Sequence, residues 1–408
     1  MITIATAKDI VAQTIRPGRV ASVPLGQCVG KILARAVATP HDFPLFAASA
    51  MDGYALRSAD TQHATPARPC QLRITEILYA GDHATRTIDL GETIRIMTGA
   101  MIPRGATAVV PQEDVAQTTA QQITLTRAVA AGDHIRPAGE ECRSGNIVAS
   151  AGDTLTPARI GYLAALGIYE VPVYAAPRVA IIPTGSELIR DSAALTPGKI
   201  FESNSFALAA ALMELGIVPT ISPPVPDEEN ALRHVLHDAI TTHDITLVSG
   251  GVSVGDKDYI RAVLATLQVE SLFWSVAQKP GKPLFFGKRD ARVVFGLPGN
   301  PASSLVCFYE YVQPAILRWL GHASIWPVSA CAVLQQRVTK KDRRAHFLRA
   351  VATHDAGTLL VTPQSSQDSH RMASFARANC FLIVPADVQE LASGARVDIH
   401  WIGEKICT

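Results

Sequence analysis

Hydrophobic positions change their period along this chain, and the changes divide it. Between residues 178 and 320, short apolar runs alternate with longer stretches whose apolar residues recur every three or four positions. The runs RVAIIP, IVPTIS, ITLVSG, LFWSVA and VVFGLP read as strands buried on both faces. SFALAAALMELG predicts a helix closed by Gly216. DEENALRHVLHDAI sets Leu232, Val235, Leu236, Ala239 and Ile240 on one helical face, with Asp227 near its start. DYIRAVLATL does the same with Ile260, Val263, Leu264 and Leu267, and PASSLVCFYEYVQPAILRWL opens with Pro301 in its first turn. The alternation predicts a parallel α/β sheet covered on both faces.

The flanking regions read differently. Residues 1–40 suggest short helices and a strand-like run, LARAVAT. Residues 41–139 hold β-branched runs such as QLRITEILYAGD, GETIRIMTGA and QQITLTRAV, broken by Gly, Asp and Pro. TPARIGYLAALG predicts a helix capped by Thr156 with Pro157 at its first turn. VPVYAAP reads as a linker near residue 175, and Pro327 marks a second boundary. From there SACAVLQQRV, HFLRAVAT, TLLVTPQ, CFLIVPAD and ARVDIHWI return to β texture.

Composition narrows the function. The 408 residues suffice for two or three domains, and 48% apolar against 18% charged residues excludes a disordered chain. A net charge of +1 without a basic stripe argues against nucleic-acid binding. No clean apolar span of about 20 residues occurs, so no membrane span is expected. The start, MITIATAKDIVAQTIRPGR, lacks a basic end followed by an apolar run, so no signal peptide is expected. Seven scattered cysteines without a CxxC argue for reduced thiols in a cytoplasmic protein, against a disulfide framework or a zinc site.

The chemistry should sit at the carboxyl edge of the predicted sheet, where open α/β folds bind ligands. Four loops meet there: Thr184-Gly185-Ser186-Glu187, the prolines leading to Asp227, Ser249-Gly250-Gly251 through Gly255-Asp256-Lys257-Asp258, and Pro298-Gly299-Asn300-Pro301. Gly250, Gly251 and Gly255 would let backbone N–H groups nest around a phosphate, with the dipole of a helix starting near Asp258 behind them. Lys279 and Lys282 flank a turn that holds two ammonium groups near one another. Glu187, Asp227, Asp256 and Asp258 are hard oxygen ligands of the kind Mg2+ takes together with substrate phosphates. Each alone has a plainer reading: Asp227 as a helix cap, the glycines as a turn, the lysines as surface charge. No GxxxxGK[ST], GxGxxG after a strand, GxSxG or HExxH is present.

These residues also carry a resemblance. In order, SAMDGYA, IMTGAxxPxGATAVVPQE, GEExxxGN, PTGSEL, ESNS, SGGVSVGDKDY, KPGKPLFFG and GLPGNPAS resemble the molybdopterin molybdenumtransferase family, MoeA and the gephyrin E domain. The resemblance runs from Pro44 to about Pro385 and implies an elongated, four-part subunit. Residues 1–40 and 140–175 would form a helical domain into which a strand-rich domain, 41–139, is inserted. Residues 176–326 would be the α/β molybdopterin-binding domain and 327–408 a small β-barrel. It further implies a homodimer in which Asp52 and Thr98 act across the subunit boundary. The implied reaction takes adenylylated molybdopterin and molybdate with Mg2+ and yields molybdenum cofactor and AMP, with possible contact to other proteins of that biosynthesis. By motif match, Arg344, Ser369, Lys279 and Lys282 would hold molybdate.

Two other readings share the α/β domain. A molybdopterin adenylyltransferase would consume ATP with metal-free molybdopterin, but the MDGYA segment and the β-rich tail argue against it. A non-catalytic scaffold of the same fold would expose an apolar groove and have no need of Glu187, Asp227 or Asp258.

Overall fold

The computed structural model describes residues 1–252 and 259–403. The chain forms two compact units, residues 22–173 and residues 1–21 together with 174–408. The second cut falls at Tyr174, and most of the segment read as a linker is the strand Glu170–Tyr174, whose Val171 and Val173 are buried. The first cut falls elsewhere than expected, because the N-terminal helix Ile4–Thr14 packs on the α/β core. Its buried Ala7 and Val11, with Ile15 beyond its end, join one core cluster with Ile316 and Val312.

That core surrounds a six-stranded sheet in the order Thr220–Ile221, Val179–Pro183, Ile245–Ser249, Arg292–Leu297, Pro283–Arg289, Glu270–Ser275. The first four strands are parallel, as the alternation predicts. Pro283–Arg289 pairs antiparallel with both its neighbours, Arg292–Leu297 and Glu270–Ser275, so the sheet is mixed rather than wholly parallel. The Pro283–Arg289 strand lies only a two-residue turn from Arg292–Leu297, a connection that permits a hairpin and no crossover. Helices Asn204–Glu214, Glu229–Thr242 and Tyr259–Thr266 cover the faces. The long helix expected from Pro301 runs as Pro301–Cys307 and Gln313–Trp319, separated by a π segment at Phe308–Val312.

The C-terminal strands close on themselves. Ala345–Asp355 pairs with Thr358–Pro363 on one side and Cys380–Val384 on the other, and Ser329–Leu334 with Arg396–Trp401 completes a five-stranded barrel. Its core includes Leu334, Ala350, Val361, Leu382 and Ile399, one from each of the five strands.

In the other unit, six strands in the order Ala108–Pro111, Gly53–Leu56, Glu92–Ile96, Cys70–Leu78, Gln122–Leu125, Gln117–Thr118 form the expected strand-rich part. Gly53 is required there, since a Cβ would lie 2.0 Å from the Val110 carbonyl oxygen. In residues 22–40 and 140–173, expected to be helical, Pro157–Ala165 is the one long helix, capped as predicted by Thr156 accepting from the Arg159 N–H. The rest is short strands, among them Val37–Ala38 paired with Ile147–Ala149. No helix of the described residues is long and apolar enough to cross a membrane.

Candidate active site

Sheet register sets the site. Pro183, Ser249 and Leu297 are aligned across three parallel strands, so the loops that follow them start at one height. A parallel bridge from Thr184 to Val225 brings the loop of Asp227 alongside. The four loops line one cavity of about 620 Å³ containing Thr184, Gly185, Glu187, Asp227, Ser249, Gly250, Gly251, Pro298 and Pro301. The convergence read from the sequence is therefore present.

The loops are stitched by backbone hydrogen bonds. The Thr184 N–H donates to Ser249 O at 2.8 Å, Gly185 N–H to Val225 O at 3.0 Å, and Gly250 N–H to Leu297 O at 3.1 Å. Gly250 has φ +103°, and a Cβ there would sit 2.4 Å from the Thr184 carbonyl oxygen. This corrects one expectation. The Gly250 amide is engaged by Leu297, so it does not belong to a phosphate nest, and its glycine serves close loop packing. Gly255, Asp256 and Asp258 lie outside the described residues.

Asp227 is not a helix cap. The residue preceding Glu229–Thr242 is Glu228, which makes no side-chain cap. Asp227 instead accepts from the Ser186 N–H at 3.4 Å, while its own N–H donates to Ser186 Oγ at 3.0 Å. That exchange fixes the Glu187 loop against the Asp227 loop. Glu187 is exposed and Asp227 half-buried, and among the described residues neither forms an ion pair. Among those residues no group of three or more His, Cys, Asp or Glu side chains could hold a metal. Two carboxylates on one cavity wall fit the limited protein ligation that Mg2+ accepts.

Asn204 was not singled out from the sequence, although ESNS contains it. Its Nδ2 donates to Ser249 Oγ at 2.7 Å and Gly299 O at 2.8 Å. Its Oδ1 is buried with no partner among the described residues, on the wall of this cavity.

A second cavity of about 910 Å³ adjoins the first, sharing Pro283, Pro298 and Asn300 with it. It collects Lys279, Lys282, Arg344 and Ser369. Sheet pairing explains the convergence: Gln278–Lys279 runs parallel to Ala345–His346, so the lysine turn lies beside the segment of Arg344. Buried Gln278 holds that turn from behind, donating to Pro280 O at 3.2 Å and accepting from the Tyr311 hydroxyl. Ser369 is fixed from two sides. Asn300 Nδ2 donates to its Oγ at 3.0 Å and Ala302 N–H to its carbonyl at 3.1 Å. The fully buried Arg349 threads the same loop, donating from Nη2 to Ser366 O at 3.2 Å and Asp368 O at 3.1 Å. Burial and nearby charges act on two neighbours here: Lys340 titrates below its usual value because it is desolvated, and so does His346.

Asp52 and Thr98 belong to the other unit and form a pair of their own. The antiparallel register Gly53 opposite Ile96 sets Asp52 across from the turn that follows Ile96. Thr98 donates to Asp52 Oδ1 from N–H at 2.7 Å and from Oγ1 at 2.8 Å. The Thr98 backbone N–H, then its hydroxyl, holds this exposed carboxyl below its usual value.

Comparison with known proteins covers nearly the whole chain. The families described as MoeA N-terminal region (domain I and II), probable molybdopterin binding domain and MoeA C-terminal region (domain IV) match residues 2–167, 180–318 and 331–402. A Mycobacterium tuberculosis protein named molybdopterin molybdenumtransferase 2 is 35% identical over 404 residues, covering 98% of this chain and 99% of its own. A Bacillus subtilis molybdopterin molybdenumtransferase is 33% identical over 394 residues, covering 96% and 91%. The crystal structure of a molybdopterin biosynthesis MoeA protein from Pyrococcus horikoshii superposes with a TM-score of 0.85 at 30% identity, covering 98% of this chain and 99% of that one.

Proposed function

The chain belongs to the MoeA family of molybdopterin molybdenumtransferases, and from that premise we propose that it inserts molybdenum from molybdate into adenylylated molybdopterin, releasing AMP and forming molybdenum cofactor. The observation that carries this reading is the pair of adjoining cavities. One is walled by carboxylates and close-packed glycine loops, the other includes Lys279, Lys282, Arg344 and Ser369 among its lining, and they share Pro283, Pro298 and Asn300. A nucleotide-linked pterin suits the first, a tetrahedral dianion the second, and the shared wall lets the two substrates meet.

Each side chain then has a task. Thr184, Ser249 and Asn204 line the first cavity with hydroxyl and amide groups for the pterin and its phosphates. Glu187 and Asp227 would hold Mg2+, which supplies charge stabilisation where the phosphoanhydride breaks. Lys279 and Lys282 add fixed positive charge in the second cavity, beside the Pro283 wall it shares with the first, to offset negative charge that grows as AMP leaves. Arg344 offers a planar fork to molybdate and Ser369 a hydroxyl. The test is AMP release from adenylylated molybdopterin titrated with molybdate. Arg344→Ala should raise the half-saturating molybdate concentration by about tenfold or more, the usual size of a charge-assisted bond lost. An unchanged concentration contradicts the assignment of the second cavity.

We further propose that the chain acts as a homodimer in which the Asp52–Thr98 pair of one protomer completes the crevice of the other. In support, the pair is exposed, and Leu45, Phe46 and Met51 beside it in the chain expose apolar surface. Mixing an Asp52→Ala chain with a Glu187→Gln chain should restore part of the activity that each lacks alone. Failure of an exchanged, dimeric mixture to recover contradicts the shared crevice.

A further inference from the structure

The segment Lys340-Lys341-Asp342-Arg343-Arg344 carries one acidic residue among four basic ones. The carboxylate is the centre of the local structure. Its Oδ1 accepts from the Arg344 N–H at 3.0 Å and meets His346 Nε2 at 3.1 Å. Its Oδ2 accepts from Arg344 Nη2 at 2.9 Å, with Nε on Oδ1 at 3.4 Å, so the guanidinium is gripped side-on by both oxygens. Lys279, from the opposing strand, brings Nζ to 3.9 Å of Oδ2. Lys340 pins the same segment from behind, donating to Arg344 O at 2.6 Å and Ala386 O at 3.0 Å.

A guanidinium has five N–H groups in one rigid plane. The side-on grip engages Nε and one N–H of Nη2, which leaves both N–H groups of Nη1 and the second of Nη2 directed away from Asp342. Arg344 lines the second cavity, and so do Asp342, Lys279 and His346. An arginine on a flexible stem would otherwise sample many rotamers, and Lys279 would drift from it by like-charge repulsion. One carboxylate therefore orients the fork and holds the two cations together.

We propose that Asp342 is the positioning residue of the oxyanion site: it fixes Arg344 and Lys279 so that their remaining donors face one tetrahedral anion. This rests on the reading of the second cavity as the molybdate site. The carboxyl is held far below its usual value, by the Arg344 hydrogen bond first, so it stays charged throughout the working pH range.

The proposal opposes plain electrostatics in sign. Removing an anion from a cationic cavity, with nothing else changed, strengthens anion binding. Removing an orienting partner weakens it, by analogy with the ten- to hundredfold lost when outer partners of metal ligands are removed. The experiment uses the full chain as wild type, Asp342→Asn, Asp342→Glu, Arg344→Ala and the Asp342→Asn/Arg344→Ala double variant. Each is titrated with molybdate, with AMP release from adenylylated molybdopterin as the readout. Asp342→Asn should raise half-saturating molybdate about ten- to hundredfold while turnover at saturation stays nearly unchanged, a split that general loosening of the fold does not produce. The effect should persist at high salt, where simple charge effects are screened. Asp342→Glu should recover part of the loss, and serves as the variant if the asparagine chain does not fold. The double variant should bind no worse than Arg344→Ala, because Asp342 acts largely through Arg344. An equal or lower half-saturating concentration in Asp342→Asn, or a fall in turnover without a shift, overturns the proposal. If Arg344→Ala itself leaves the titration unmoved, the cavity is not the oxyanion site, and the proposal falls with that reading.

Discussion

Replacing Glu187 with glutamine is expected to lower molybdate-dependent AMP release by about two to three orders of magnitude. A cation that stabilises charge at a breaking phosphoanhydride contributes several kcal/mol, and about 1.4 kcal/mol is a tenfold change in rate. Glutamine keeps the size and exposed position of Glu187 but loses the anionic ligand. Glu187 makes no ion pair among the described residues, so the unfolding transition should not move. Raising Mg2+ should recover part of the rate in the variant if the loss is one of ligand affinity. Full activity in Glu187→Gln contradicts the role given to the first cavity.

The largest stability effect is expected at Glu310. This residue sits in the π segment Phe308–Val312 with its side chain fully buried. Its two oxygens take Lys8 Nζ and His400 Nδ1, each at 2.7 Å. One carboxylate thus ties the N-terminal helix and the last barrel strand to the helix behind the sheet. Glu310→Gln leaves the partly buried Lys8 without its counter-charge and weakens the hydrogen bond from His400, at a cost of about 3 kcal/mol, the lower end for a broken buried pair because Lys8 reaches solvent. Denaturant unfolding at neutral pH should show the lower midpoint. The sign of the pH dependence follows. Burial raises the Glu310 carboxyl, but the hydrogen bond from His400 and the charge of Lys8 outweigh it, so the folded value lies below the usual one. The stabilisation is complete above the unfolded value, about 4.3, and is lost as pH falls through the folded one. The gap between wild type and variant should therefore close in acid. A gap that widens in acid contradicts the ion-pair account.

Much of the α/β unit was legible because its determinants are local. Gly216 ends a helix there, and in the other unit Thr156 starts one, each by a backbone requirement one turn long. The convergence of Thr184, Asp227, Gly250 and Pro298 follows from parallel strands alone, since parallel neighbours present all their carboxyl ends on one edge. What the pattern missed depends on partners far away in the chain. Val11 and Ile15 carry an apolar stripe, but nothing nearby says that it packs beside Ile316. LFWSVA has the composition of a parallel core strand, yet pairs antiparallel with Pro283–Arg289. Asp227 looks like a cap by position, but the helix starts one residue later behind Glu228 and the Asp227 carboxylate accepts from Ser186 instead. In the second cavity Arg344 and Ser369 follow from motif resemblance, whereas Asp342 stands out only in the fold, where Lys279 and His346 come together around it. Asn204 is similar: its two donors settle on Ser249 and Gly299, 45 and 95 residues away.

If one composite crevice receives a nucleotide-linked pterin and a metal oxyanion side by side, a crystal structure of the full chain soaked with AMP, Mg2+ and molybdate should show it. AMP density is expected against Thr184, Ser249 and Pro298, with the cation on Glu187 and Asp227. Molybdate is expected across the shared Asn300 wall, within hydrogen-bond reach of Arg344, Lys282 and Ser369. Molybdate bound away from those three side chains, or AMP on another face of the sheet, contradicts it.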